Sequence, residues 1–235
     1  MLVSVCGAQG CGKTTFLNKL QSKGIDVVER KTVRSILSDW NMPISEIYND
    51  LNLLQKFQQA VLERKYQDEA LCRDDDVLHA TERGFIDLFA FTLTFFGNKN
   101  NYSSWLNDYA DQCFSYQKNY IGSIYIQSGR FGIVDDGVRP TNVYYSKLID
   151  TIINQYVGEY STNLLKLDSN SDEEVDVTLT FIDNILNSKG NSTLLKNIPA
   201  KFNGYDINME KIASDMADKI VTNNPSNPGD FQEWQ

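Results

Sequence analysis

Short apolar runs alternate with longer amphipathic segments along most of the chain, which predicts alternating strands and helices. The predicted strands are 2–6, 25–28, 77–81, 123–127 and 164–167. The predicted helices are one directly after the first strand and those at 31–39, 45–71, 85–96, 105–120, 141–157 and 171–186. Strands that are apolar throughout and separated by helices are typical of a buried parallel sheet. The pattern therefore predicts a three-layer α/β fold with a five-stranded parallel sheet.

Two of the predicted helices differ in character. The 45–71 segment has one apolar face, and Glu63, Lys65 and Asp68 are expected on an opposite, solvated face. It is predicted to pack on the sheet and to form a helical acceptor region. The 85–96 segment is apolar nearly throughout, so it is predicted to be buried on both sides and is too short to span a bilayer. It could also serve as an interface in a homodimer.

The composition changes near the end of the sequence. From residue 187 the chain is rich in Asn, Ser and Lys, and residues 222–235 contain Pro225, Pro228 and Gly229. We therefore predict one domain over 1–187, a helical extension over 188–221 and a flexible tail over 222–235.

The composition and charge argue against a general nucleic-acid-binding protein, a zinc site and a disulfide framework. The 235-residue chain has a net charge of −9 and a pI near 4.7, which disfavours broad nucleic-acid binding. Four cysteines without a C-x-x-C pair and a single histidine support neither a zinc site nor a disulfide framework. That histidine, His79, is expected to be a hydrogen-bonded core residue rather than a catalytic one. Without a signal peptide or an apolar run of membrane length, we expect a soluble cytoplasmic protein.

A phosphate-binding motif follows the first predicted strand. Residues 7–14 match G-x-x-x-x-G-K-[ST], with a strand before and a helix after. Glycines allow backbone N–H groups to surround phosphate oxygens, and the helix N-terminus adds positive potential. The predicted nucleotide-binding residues are Gly7, Ala8, Gln9, Gly10, Cys11, Gly12, Lys13, Thr14 and Thr15.

The motif also predicts the cofactors. Lys13 is expected to reach the β- and γ-phosphates of ATP and to act in catalysis. The Thr14 hydroxyl is expected to hold Mg²⁺, which prefers a few hard oxygen ligands together with phosphates. Nothing in the sequence distinguishes ATP from GTP.

Charged residues follow the second and third predicted strands. The carboxyl ends of parallel strands share one edge of a sheet, so Glu29, Glu82 and Arg83 are expected to face the phosphates. Glu29 is the first candidate for a base that takes a proton from an acceptor hydroxyl. Glu82 is expected to bind Mg²⁺ through water or to contact the acceptor, and Arg83 to bind acceptor or phosphate.

The segment after the fourth predicted strand resembles an active-site lid. Residues 129–140 combine three glycines with Arg130, Arg139 and two aspartates. Both arginines are candidates for cations that move onto the γ-phosphate when the lid closes. Asp136 either pairs with Arg139 or contacts the ligand.

These elements, in this order, are similar to those of the nucleoside and nucleotide kinase group of P-loop proteins. Glu82-Arg83-Gly84 resembles the Glu-Arg-Ser or Asp-Arg element of deoxynucleoside and thymidylate kinases, although Gly84 stands where deoxynucleoside kinases usually have Ser. Residues 134–139 resemble the ribosylnicotinamide kinase domain and its bacteriophage relatives. The resemblance covers roughly residues 1–187. It implies Mg·ATP as donor, Glu29 or Glu82 near the acceptor and Arg139 on the phosphates.

The leading hypothesis is a kinase that transfers the γ-phosphate of Mg·ATP to a nucleoside or nucleotide. A nucleoside acceptor would use Glu29 as base, whereas a monophosphate would need arginines such as Arg30, Arg34 and Arg83. We favour a deoxynucleoside monophosphate.

Two alternatives remain open. One is phosphorylation of hydroxymethyl groups on bases in phage DNA, which needs a basic face that the net charge disfavours. The other is a P-loop NTPase that acts as a switch or binding module, for which ATP turnover would not depend on an acceptor.

Overall fold

The sheet is built around β1 (Leu2–Cys6), all of whose residues are buried. The other strands are β2 (Asp26–Val27), β3 (His79–Glu82), β4 (Gly122–Ile126) and β5 (Leu164–Leu167). Every pairing is parallel and the strand order is β2-β3-β1-β4-β5, which confirms the predicted five-stranded parallel sheet. The computed structural model describes residues 1–28, 32–129, 142–168 and 171–188.

Helices connect the strands of this part of the chain. They are α1 (Lys13–Ser22), α2 (Thr32–Trp40), α3 (Ile44–Asn49), α4 (Leu51–Asp68), α5 (Ala70–Asp74), α6 (Phe85–Phe96), α7 (Ser103–Gln117), α8 (Val143–Tyr160) and α9 (Asp172–Ser188), with a 3-10 turn at Asn100–Tyr102.

The prediction of one helix over 45–71 is wrong, because the chain forms α3, α4 and α5 there. Asp50 is extended, with φ −123°, and it separates α3 from α4. Its carboxylate accepts hydrogen bonds from the N–H groups of Asn52 and Leu53 at 2.9 and 3.2 Å. Such a side-chain cap satisfies N–H groups that the first turn of a helix leaves unpaired, so it starts a new helix.

The helices cover both faces of the sheet. Val3 and Val5 of β1 belong to the core shared with α1 and α9. Leu2 and Cys6 alternate with them and point to the opposite side, where α6 and α8 pack. Successive side chains of a strand point to opposite faces, so both faces must be apolar. The predicted three-layer α/β fold is confirmed.

Helix α6 is buried between its neighbours, as its composition predicts. It packs against both α7 and α8. The Phe89 ring makes edge contacts with Phe114 of α7 and Tyr156 of α8, at centroid distances of 4.9 and 5.0 Å. These aromatic contacts hold α6 in place, and the helix begins directly after the Glu82-Arg83-Gly84 turn.

The prediction that Lys65 is exposed is wrong. Its side chain is fully buried and forms an ion pair with Glu69, one turn later. Glu69 also accepts hydrogen bonds from the Thr81 hydroxyl at 2.7 Å and the Tyr120 hydroxyl at 2.9 Å. A buried charge is tolerated only when it is paired and hydrogen-bonded, and this cluster meets both conditions. It also ties α4 to β3 immediately before Glu82.

Three further expectations concern the single histidine, membrane-spanning helices and the C-terminal segments. His79 lies 2.8 Å from a carboxylate oxygen of Asp75, which supports a structural role for the histidine. In the described ranges, no helix combines the length and the apolar character needed to cross a bilayer. The predicted extension over 188–221, apart from Ser188, and the tail over 222–235 lie outside the described residues.

The buried ion pair predicts a large difference between two adjacent substitutions. Lys65→Met leaves the Glu69 charge buried without its cation, and we expect it to lower the free energy of unfolding by about 3–5 kcal/mol. Arg64→Met removes the neighbouring ion pair with Asp39, in which both side chains are partly exposed, and should cost less than about 1 kcal/mol. Urea unfolding followed by circular dichroism measures both values, and equal losses would contradict the role given to Lys65.

Candidate functional site

The carboxyl ends of β1, β3 and β4 meet at one edge of the sheet. β1 lies between β3 and β4, with Val5 opposite Glu82 and Cys6 opposite Tyr125. After β1 the chain forms β2 and β3 on one side of that strand, and it then crosses to form β4 and β5 on the other side. Ligands of open parallel sheets bind where the strand order switches in this way. The phosphate-binding motif leaves β1 at this point.

The first glycine of the motif is required by space and by backbone conformation. Gly7 has φ +147°, and a Cβ there would lie 2.5 Å from the Ile126 carbonyl oxygen and 2.8 Å from Cys11 Sγ. At the other end of the loop, Gly12 has φ +91° and precedes α1 without a side-chain cap. The loop thus leads directly into the N-terminus of α1. Because the N-cap residue is a glycine, no side chain of that residue caps the first N–H groups of the helix, which an anion site needs.

The side chain of Lys13 turns back into the loop that precedes this residue in the sequence. Its ammonium donates hydrogen bonds to the carbonyl oxygens of Gly7 at 2.8 Å and Ala8 at 2.7 Å, and its side chain is buried. A charged donor held at the base of a phosphate loop provides the positive charge that β- and γ-phosphates need. The role of Lys13 on the β- and γ-phosphates stays a prediction.

Thr14 and Glu82 form an oxygen pair at the mouth of the loop. The Thr14 hydroxyl lies 3.3 Å from Glu82 Oε2, across the gap between α1 and the end of β3. Thr14 is exposed and Glu82 half-buried. Hydroxyl and carboxylate oxygens suit Mg²⁺, which is commonly held by one or two protein oxygens together with phosphates and water. The donor set therefore fits the predicted metal. Within the described ranges, no cluster of three or more His, Cys, Asp or Glu side chains could replace it.

Arg83 follows Glu82 in an uncommon backbone conformation, with φ +67°. Its guanidinium carbon lies 4.9 Å from the centroid of the Phe91 ring, which is a cation–π contact. Its Nη1 is buried, and none of the described residues accepts a hydrogen bond from it. A left-handed conformation in a non-glycine residue is costly and concentrates at functional sites. The turn directs a cation to the same edge of the sheet as Lys13 and Glu82.

Asp87 is a site residue that the sequence analysis missed. Its fully buried carboxylate accepts hydrogen bonds from the Gly7 N–H at 3.0 Å and the Gly84 N–H at 2.8 Å. The same group lies 3.9 Å from Arg83 Nη1. Asp87 therefore joins the phosphate loop to the turn after β3. The available signal was an acidic residue at the third position of a helix, within an otherwise apolar segment.

Gly84 has no space for a side chain, although its backbone is ordinary. A Cβ would lie 2.7 Å from Gln117 Oε1 and 2.8 Å from Cys6 Sγ. Gln117 is itself fixed, because its amide accepts a hydrogen bond from the Ile86 N–H and donates one to the Ser123 hydroxyl. This packing gives a physical reason for glycine where the kinases it resembles usually have serine.

Aromatic side chains lie beside Arg83. The rings of Tyr48 in α3 and Phe95 in α6 stack, with centroids 5.3 Å apart. The hydroxyls of Thr94 in α6 and Tyr145 in α8 are 3.1 Å apart. Burial raises the pKa of Tyr48, with Tyr145 adding to the shift and Arg83 opposing it. Flat apolar surfaces with a few polar groups are typical of sites for small planar ligands.

Several predicted site residues lie outside the described part of the chain. These are Glu29, Arg30, Arg130, Asp136 and Arg139, and with them the predicted lid apart from Gly129. Arg34 is described and is exposed on α2. The structure thus brings together Lys13, Thr14, Glu82 and Arg83, and adds Asp87.

The geometry of Gly7 yields a prediction with a matched control. Gly7→Ala would force a Cβ against the Ile126 carbonyl, so we expect at least a tenfold loss of nucleotide affinity together with reduced stability. Gly24→Ala also alters a glycine with positive φ, +93°, but no atom lies within 4 Å of the added Cβ. Isothermal titration calorimetry with ADP should give an unchanged affinity for Gly24→Ala. An affinity for Gly7→Ala equal to that of the wild type would contradict this account of the loop.

Comparisons with known proteins agree with this geometry. A family model described as an AAA domain matches residues 2–174. A search of curated proteins gives no match. The fold is similar to that of deoxyadenosine kinase from M. mycoides with bound dCTP, at 16% identity and a TM-score of 0.53, over 80% of this chain and 100% of that one.

A second similar structure is the NadR protein in complex with NAD and AMP-PNP. The identity is 9% and the TM-score 0.57, over 79% of this chain. The chain spans about half of the length of that protein, 49%. At these identities the similarity shows the fold alone, a three-layer α/β fold in which a glycine-rich loop follows the first strand. Because the family model matches well over half of the residues, the chain belongs to this AAA domain family.

Proposed function

We propose that this protein is a kinase that transfers the γ-phosphate of Mg·ATP to a small nucleoside or nucleotide. The observation that carries the proposal is the 3.3 Å contact between the Thr14 hydroxyl and Glu82, beside Lys13 in its loop. Together these residues supply a phosphate loop, a cation and metal-binding oxygens on one edge of the sheet. Phosphoryl transfer needs mainly positioning and charge stabilisation, which such an arrangement can provide.

The residues have separable roles in this reaction. The backbone of residues 7–14 and the Lys13 ammonium bind the β- and γ-phosphates. Thr14, and Glu82 through water, would hold a Mg²⁺ ion, which would supply neutralisation of the phosphate charge. Arg83 binds and orients the acceptor, while Glu29 takes the proton if the acceptor is a hydroxyl. Arg130 and Arg139 stabilise charge on the transferred group when the lid closes.

The acceptor is proposed to be a nucleoside or nucleotide, with a deoxynucleoside monophosphate preferred. The ring surfaces of Tyr48, Phe91 and Phe95 next to Arg83 support an acceptor with a planar base and an anionic group. The fold provides further support, because similar structures hold dCTP in deoxyadenosine kinase and NAD with AMP-PNP in NadR.

The proposal predicts acceptor-dependent ADP formation. Purified protein with Mg·ATP is assayed against nucleosides, deoxynucleoside monophosphates, nicotinamide riboside and DNA containing hydroxymethyluracil. We expect one class of small acceptor to raise ADP formation at least tenfold, and Lys13→Ala to abolish it because the phosphates lose their cation. Stimulation by the modified DNA would favour a base kinase. Turnover indifferent to every acceptor would identify an NTPase and end the kinase proposal.

The metal assignment has its own test. Glu82→Gln removes a carboxylate charge from the Thr14–Glu82 pair, so the Mg²⁺ concentration for half-maximal activity should rise about tenfold. Glu63→Gln changes an exposed carboxylate of α4 and should leave the Mg²⁺ dependence unchanged. The measurement is ATP turnover across a magnesium titration at saturating ATP and acceptor. An unchanged half-saturation point in Glu82→Gln would remove Glu82 from the metal site.

A further inference from the structure

We propose that Asp87 is a positioning residue that couples nucleotide binding in the phosphate loop to the orientation of Arg83. The contact of Arg83 with an acceptor rests on the proposed function. The coupling itself concerns nucleotide binding and can be measured without an acceptor.

A continuous series of contacts runs from Lys13 to Arg83. The Lys13 ammonium donates to the Gly7 carbonyl at 2.8 Å, and the Gly7 N–H donates to Asp87 Oδ1 at 3.0 Å. The other oxygen of Asp87 accepts from the Gly84 N–H at 2.8 Å. Asp87 Oδ1 is also 3.9 Å from Arg83 Nη1. One oxygen is therefore shared between the first glycine of the loop and the arginine at the acceptor side.

Burial makes this sharing energetically important. Asp87 is 0% exposed, so water cannot replace a partner that its carboxylate loses. Its described partners are two backbone N–H groups, the Cys6 thiol and, at 3.9 Å, one guanidinium. The position in the first turn of α6 adds the helix dipole. Loss of the Arg83 charge therefore leaves Oδ1 more dependent on its hydrogen bond from the Gly7 N–H.

The two ends of the series differ in freedom. The Arg83 side chain is 24% exposed and lies against Phe91, so it can turn toward an anion at the mouth of the site. Gly7 is fixed, because its N–H and its carbonyl are both bonded and its surroundings admit no Cβ. When Arg83 turns away, the Gly7 N–H becomes more important for stabilising the buried carboxylate. The strength of the hydrogen bond from the Gly7 N–H to Asp87, at the base of the loop proposed to bind phosphate, thus depends on the state of Arg83.

A double-mutant cycle on ADP affinity tests the coupling. ADP is the probe because it lacks the γ-phosphate, the group nearest the acceptor. We expect Arg83→Met to weaken ADP binding about threefold and Asp87→Asn about tenfold, since an amide offers one acceptor oxygen to two N–H donors. In the double variant, Arg83→Met should add no further loss. Additive losses would overturn the proposal.

Asp50→Asn is the matched control. It changes another carboxylate that accepts two backbone N–H bonds, at the start of α4, and it should leave ADP affinity unchanged. If Asp87→Asn does not fold, amide NMR on wild type and Arg83→Met replaces the cycle. The Gly7 amide resonance should then shift in Arg83→Met while that of Gly24 stays in place, and an unmoved Gly7 resonance would refute the coupling.

The outcomes distinguish this inference from the proposed function. Wild-type protein that forms no ADP in response to any acceptor would contradict the kinase assignment and leave the coupling in ADP binding intact. Additive ADP affinities in an enzyme that responds to an acceptor would remove the role of Asp87 and leave the kinase assignment intact.

Discussion

The site depends on a steric constraint at the end of β1. The chain leaves this strand between two others and must turn at once beneath the Ile126 carbonyl, where there is room for a backbone but not for a side chain. Glycine meets this constraint, and a glycine-rich turn allows successive backbone N–H groups to face an anion. The direction of the loop, and with it the place of Lys13, is set by the packing of β1 against β4. The arrangement of strands in the sheet therefore determines where the candidate phosphate site lies.

The general architecture could be predicted because it depends on local patterns. Continuous apolar runs separated by amphipathic segments specify a buried parallel sheet, and the spacing of Gly7, Gly12 and Lys13 specifies the loop between the first strand and helix. The proximity of Thr14 and Glu82 also followed from the sequence, because the ends of parallel strands share one edge. These inferences needed only periodicity, the spacing of the glycine-rich motif and the shared edge at which parallel strands end.

What could not be predicted depends on contacts between residues distant in sequence. A lysine such as Lys65 is usually exposed to solvent. Here it is buried because it pairs with Glu69, whose carboxylate also accepts hydrogen bonds from Thr81 and Tyr120. Asp87 looks like a helix-capping residue, and its bond to Gly7, 80 positions away, is visible only in three dimensions. Charged side chains usually lie at the surface. In both cases the side chain is buried because ion-pair and hydrogen-bond partners from other parts of the chain stabilise its charge.

The packing beneath Gly84 has a consequence for how this sequence can change. A hydroxymethyl group at position 84 would meet the Gln117 amide and the Cys6 thiol, which come from different elements. Serine at that position therefore requires the Gln117 amide and the Cys6 thiol to shift, or smaller side chains to replace them. The effect of serine at 84 thus depends on the residues at 117 and 6, so we expect substitutions at these three positions to be epistatic.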